Sequence, residues 1–301
     1  MSGVSIVSLD TNSTFFKSLT HFADLDPIEV IQRTFPDGES YLKVNAPKVH
    51  EKVWIHLDFS DPNRKILPLI FLSKKLRTMG AKFVGLLSPY LPYMRQDNEF
   101  HQGEVQSAHY MAELVCMHFH GLLTVDPHLH RIDNLDELYY IDHQTLSAGE
   151  CIAHWIDENV HEPYLIGPDE ESIQWVQRVA KRLNIDYQIL IKERFGDRDV
   201  QVSQPKIAIP EGKTPVILDD IVSSGMTMIE AIKQVKPRSQ ISPVCVSTHG
   251  IYAEDAKRRM MAAGAARVVC TNTLETEVAD IDITSILHGA VCQWDYSKWL
   301  D

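Results

Sequence analysis

Thr214 to Ile232 reads TPVILDDIVSSGMTMIEAI. Val216, Ile217 and Leu218 predict a short buried strand. Asp219 to Thr227 is a turn of acids, small hydroxyls and one glycine, and Met228 to Val235 carries apolar residues at helical spacing. Two adjacent carboxylates thus stand at the carboxyl end of a strand, and Ser223-Ser224-Gly225-Met226-Thr227 opens a helix. Backbone N–H groups and hydroxyls at a helix start suit a phosphate, and the helix dipole favours an anion there. Asp219 and Asp220 repel such a phosphate; they suit ribose hydroxyls or a magnesium ion beside it. An N-cap accounts for one serine. It does not account for two acids that lose solvent at the end of an apolar strand. The stretch describes a site for a sugar phosphate.

Outward from this stretch, the order of elements repeats. Val53 to Leu57, Ala81 to Leu87 and Gly121 to Val125 in the first half answer Val216 to Leu218, Ile241 to Ser247 and Ala266 to Cys270 in the second. Helices are predicted between them at Ile66 to Met79, Ser107 to His118, Met228 to Val235 and Ala253 to Ala263. This pattern predicts two similar α/β domains of parallel strands with crossover helices, 1–146 and 147–301. Ligands of such sheets sit beyond the carboxyl ends of the strands. Pro36-Asp37-Gly38 is a turn signal inside Arg33 to Val44 and predicts a hairpin.

The chain of 301 residues has 29 Lys and Arg against 41 Asp and Glu, a net charge of 29 − 41 = −12. That charge argues against nucleic acid and anionic membranes as partners. It also requires any polyanion site to gather local cations. Five cysteines without a CxxC pair predict reduced thiols and a cytoplasmic protein. No apolar run reaches membrane length, and no leader is expected.

Further motifs fall at predicted strand ends. Arg95-Gln96-Asp97 reads as solvated surface or as a fork of donors for phosphate with a partner for a purine edge. Asp126-Pro127-His128 ends a buried strand; His128 reads as a loop histidine, a metal ligand or a phosphate contact. Asp169 after Gly167-Pro168 is a structural turn or a magnesium ligand near Asp219 and Asp220. Lys192-Glu193-Arg194 is a solvated hairpin or a loop bringing two cations over a transferring phosphoryl group.

Taken in order, RTFPDGE, YMRQD, DPHLH, GPDE, KER and DDIVSSGMT with THG resemble the ribose-phosphate diphosphokinase family over nearly the whole chain. The last loop alone is shared with type I phosphoribosyltransferases. The resemblance implies two phosphoribosyltransferase-like domains, with ATP and ribose 5-phosphate as substrates and magnesium as cofactor. It implies nucleotide contacts from Phe35, Asp37 and Glu39 of a neighbouring subunit and from Arg95, Gln96, Asp97 and His128. His128 and Asp169 would hold magnesium. Asp219 and Asp220 would bind the ribose hydroxyls, Ser223, Ser224, Gly225, Met226 and Thr227 the 5-phosphate, and Lys192 and Arg194 the transferring β-phosphate. A homo-oligomer follows, at least a dimer and commonly a hexamer. The chain departs from the family at Glu170-Glu171-Ser172, at Glu193 and after Asp97. A phosphoribosyltransferase and a non-catalytic regulatory subunit remain as alternatives.

Overall fold

The structure is a computed structural model that describes residues 3–99, 101–129, 131–190, 207–253 and 255–300. The chain forms two units: Met1–Leu146 with Thr273–Glu275 and Ile283–Asp301, and Ser147–Asn272 with Thr276–Asp282.

The first unit runs β1 (Val4–Ser8), α1 (Thr14–Leu19), β2 (Leu25–Ile28), β3 (Val30–Thr34), β4 (Ser40–Val44), β5 (Lys52–His56), α2 (Pro62–Thr78), β6 (Phe83–Leu87), α3 (Ser107–His118), β7 (Gly121–Val125) and β8 (Asp142–Leu146). Its six-stranded sheet has the order β2-β1-β5-β6-β7-β8, with every neighbour parallel. The inner strands β6 and β7 are buried throughout, which explains sequences that are apolar but for Thr124. The expected hairpin is β3 with β4, an antiparallel pair with Arg33 opposite Tyr41. At its tip Gly38 takes φ +95°, a conformation that favours glycine, and the Glu39 N–H donates to Asp37 Oδ1 at 3.1 Å.

The second unit runs α4 (Gly149–Asn159), β9 (Pro163–Gly167), α5 (Ile173–Leu183), β10 (Tyr187–Ile189), β11 (Thr214–Val222), α6 (Met226–Val235), β12 (Val244–Gly250), α7 (Ala256–Ala263), β13 (Arg267–Thr271) and β14 (Ala279–Ile281). Its sheet, also parallel, has the order β10-β9-β11-β12-β13-β14. Counted along the chain, both sheets follow the same permutation, the repeat seen in the sequence. Ile166, Ile217, Ile229, Ile232 and Cys245 meet in a buried cluster under α6.

The last helices, α8 (Thr284–Gln293) and α9 (Ser297–Leu300), return to the first unit. The expected division at 146/147 therefore differs at the C-terminus: residues 283–301 do not stay with the second half. The aromatic segment Trp294 to Trp299 supplies the physical reason. Trp294 meets Trp54 edge to face at 4.9 Å between centroids, and Trp299 stacks on His120 at 4.2 Å. Trp54 Nε1 donates to Tyr296 Oη at 2.8 Å, and that hydroxyl donates to the Val291 carbonyl at 2.9 Å. Gly121 leaves room for this cover, since a Cβ there would lie 2.6 Å from the Trp294 ring.

Candidate functional site

In the second unit, strand order reverses between β9 and β11, the point at which parallel sheets open a crevice. Pairing of β11 with β9 stops at Ile217 opposite Ile166, whereas pairing with β12 continues to Val222 opposite Gly250. Asp219 and Asp220 therefore lie on a strand that has outrun one neighbour. The sequence predicts them in a turn after Leu218. In the structure they belong to the strand, because β12 keeps supplying hydrogen bonds. Both are buried, and the Asp220 N–H donates to Asp219 Oδ1 at 3.0 Å. Burial raises the Asp219 pKa well above the ordinary carboxylate range, and the negative charges of Asp220 and Asp169 add to it.

Asp169, also buried, follows β9 on the other side of the reversal. The Ser172 hydroxyl donates to the Asp169 carbonyl at 2.6 Å and closes the turn. This gives the unusual Glu170-Glu171-Ser172 sequence a structural role through its serine.

Ser223 and Ser224 are half-buried after β11, and α6 begins at Met226, two residues before the predicted start. Gly225 ends the turn at φ +74°. A Cβ there would lie 3.2 Å from Ala256 Cβ and 3.3 Å from Met260 Sδ. Glycine thus permits both the left-handed turn and the approach of α7. Thr227 is half-buried and Met226 exposed, with Arg259 Nη2 2.6 Å from Met226 Sδ. Arg259 was not among the predicted residues. Its only sequence signal is a cation on the helix after Thr248-His249-Gly250.

The first unit holds the other predicted residues. Phe35, Asp37 and Glu39 stand exposed at the hairpin tip. The Arg33 guanidinium lies 4.2 Å above the Tyr41 ring and 5.7 Å from the Phe35 ring. Between hairpin and α2 is a cleft of about 1090 Å³, lined by Asp37, Gly38, Glu39, Asn63, Arg64 and Phe71. Arg95 and Gln96 are exposed in the turn after β6, and Gln96 Oε1 accepts from Ser107 Oγ at 2.6 Å. Asp97 is buried and accepts from Arg131 Nη1 at 2.8 Å, so its carboxylate has a protein partner that the sequence did not reveal. His128 is half-buried just after β7. Lys192 and Arg194 lie outside the described residues.

A family model for the N-terminal domain of ribose phosphate pyrophosphokinase matches residues 4–118, and one for the phosphoribosyl transferase domain matches residues 137–283. A relative from Methanobrevibacter smithii, named ribose-phosphate pyrophosphokinase, is 30% identical over 271 residues, covering 86% of this chain and 90% of the relative. One of the same name from Thermoplasma acidophilum is 25% identical over 295 residues, covering 98% and 99%. The crystal structure of phosphoribosylpyrophosphate synthetase from Mycobacterium smegmatis shares the fold, with a TM-score of 0.80 at 19% identity over 96% of this chain and 98% of that one.

Proposed function

Because the chain belongs to the ribose-phosphate pyrophosphokinase family, we propose that it transfers the diphosphoryl group of ATP to the 1-hydroxyl of ribose 5-phosphate. The products are 5-phosphoribosyl 1-diphosphate and AMP. The observation that carries this reading is the buried Asp219–Asp220 pair on a strand that leads directly into the Gly225 turn and α6. Acceptors for ribose hydroxyls and N–H donors for a 5-phosphate then follow within eight residues of one another.

In the reaction, the 1-hydroxyl oxygen forms a bond to the β-phosphorus of ATP. The bond from that phosphorus to the α–β bridging oxygen breaks, AMP leaves with the electron pair, and the hydroxyl proton passes to solvent. Asp219 and Asp220 orient the ribose; Ser223, Ser224, Gly225, Met226 and Thr227 anchor its phosphate. Phe35, Asp37, Glu39, Arg95, Gln96 and Asp97 serve the nucleotide, and Lys192 and Arg194 the transferring group. Positioning and charge neutralisation carry the rate, and no protein nucleophile is needed.

Magnesium fits the donor set. Asp169, Asp219 and Asp220 crowd their charges together, and a hard divalent cation relieves that repulsion with oxygen ligands. Asp169 and His128 are each proposed as ligands. Bound magnesium neutralises polyphosphate charge. The exposed Phe35 and Ile31 on the hairpin support a homo-oligomer in which this tip meets a neighbouring copy. Five cysteines without a disulfide support a cytoplasmic setting. Among the described residues no helix is long and apolar enough to cross a membrane.

The test is AMP release, followed by chromatography. One AMP per ribose 5-phosphate consumed, requiring magnesium, supports the reading; ATP breakdown that ignores ribose 5-phosphate refutes it.

A further inference from the structure

We propose that Asp24, His288 and Cys292 form a binding site for a divalent transition metal of the zinc class. All three belong to the first unit, and none serves the reaction described above. His288 and Cys292 are four residues apart on α8, which puts them on one helix face. Asp24 comes from the segment between α1 and β2. His288 Nε2 lies 2.8 Å from Asp24 Oδ1 and 3.2 Å from Cys292 Sγ, and Sγ lies 2.8 Å from Asp24 Oδ2. One ligand atom from each residue falls within 4.8 Å of the other two.

The convergence is on one ring nitrogen. A thiol–imidazole–carboxylate relay places the acid on the opposite ring nitrogen from the nucleophile. Here thiol and carboxylate both face Nε2, as ligands around a common ion do. The Phe22 ring stacks on the His288 ring at 3.7 Å with 9° between planes, and so fixes the direction in which Nε2 points. Imidazole nitrogen with thiolate sulfur selects zinc, cobalt or a similar ion over magnesium. Zinc bonds of about 2.0–2.3 Å require ligand atoms about 3.3–3.7 Å apart, so the three donors would open by about half an ångström. Asp24 is more than half exposed, which leaves a side of the site accessible to water as a fourth ligand. Binding replaces the thiol proton with the ion and releases that proton to solvent. The ion would join α8 to a segment 264 residues earlier in the chain.

The test titrates metal-free full-length protein with Co²⁺ and reads the thiolate-to-cobalt charge-transfer absorption. The expected result is one equivalent of Co²⁺, displaced by Zn²⁺, with the band abolished in Cys292→Ser. His288→Gln should weaken binding by about tenfold or more. Metal should raise the unfolding temperature of the wild type more than that of either variant. Cys116, Cys245 and Cys270 are buried and Cys151 is half-buried, so loss of the band in Cys292→Ser is what separates Cys292 from the other four. Wild-type protein that develops no such band overturns the proposal, and needs no variant to fold. A band that survives Cys292→Ser also overturns it.

Discussion

Lys65 Nζ lies 2.8 Å from Asp10 Oδ1, at the point where strand order reverses in the first sheet. Asp58 joins them: its Oδ1 is 3.7 Å from the same ammonium, and its N–H donates to Asp10 Oδ2 at 2.9 Å. Asp10 follows β1 as Asp169 follows β9, and Asp58 follows β5 while Asp219 and Asp220 lie within the last four residues of β11. The two halves thus keep acids at matching places. In the first, a lysine of α2 enters among them and supplies the positive charge from within the chain.

That cation should be structural. Lys65 is 19% exposed and Asp10 21%, between a surface pair and a buried one. Lys65→Met should destabilise the protein by about 2 kcal/mol, because it leaves two carboxylates facing each other. Denaturant unfolding measures this; an unchanged midpoint contradicts it.

His56, beside this cluster, sets an acid limit. Its Nδ1 is 2.9 Å from Ser8 Oγ, and Phe15 stacks on the ring at 4.8 Å. Burial holds the imidazole pKa down to about 3, with Asp58 opposing and Lys65 adding to the effect. The unfolded chain takes up this proton near pH 6.5 and the folded chain does not. The contribution is therefore intact above about pH 6.5 and is lost towards pH 3, at up to about 1.4 kcal/mol per pH unit. His56→Gln should make the slope of unfolding free energy shallower in this window by up to one proton.

The left-handed turn at Gly225 predicts a specific loss. Gly225→Ala places a side chain at φ +74° against Ala256 and should cost about 1–2 kcal/mol. Because α6 would start from a displaced turn, the KM for ribose 5-phosphate should rise about 5- to 10-fold. A KM equal to wild type would remove the 5-phosphate from this turn.

Asp219→Asn tests the carboxylate pair separately. Loss of a charge-assisted hydrogen bond of about 1.5–3 kcal/mol should lower kcat/KM about 10- to 100-fold. Burial and then Asp220 disfavour the charged form of Asp219, so a neutral amide in its place should not lower folding stability. Steady-state kinetics with thermal unfolding separates the two effects.

The paired sheets were legible because buried parallel strands read as apolar runs, and the candidate Asp219–Thr227 stretch stood out because its residues are contiguous. The edge strands β2, β8 and β14 were not. β2 contains Pro27, β8 is Asp-His-Gln-Thr-Leu, and β14 has three residues. Edges need neither apolar faces nor every N–H, so period and composition fail there. The return of residues 283–301 was hidden for a different reason: Trp294, Tyr296 and Trp299 announce burial but not the surface they cover. Arg131 and Lys65 were missed because ion pairs across 34 and 55 residues leave no local spacing.

The most direct measurement is phosphorus NMR of the protein with ATP, magnesium and ribose 5-phosphate. Diphosphoryl transfer to ribose 5-phosphate predicts loss of all three ATP resonances, with an AMP signal and the coupled pair of a ribose-linked diphosphate growing in equal amounts. ADP with inorganic phosphate, or an ATP spectrum that never changes while the protein remains folded, would contradict it.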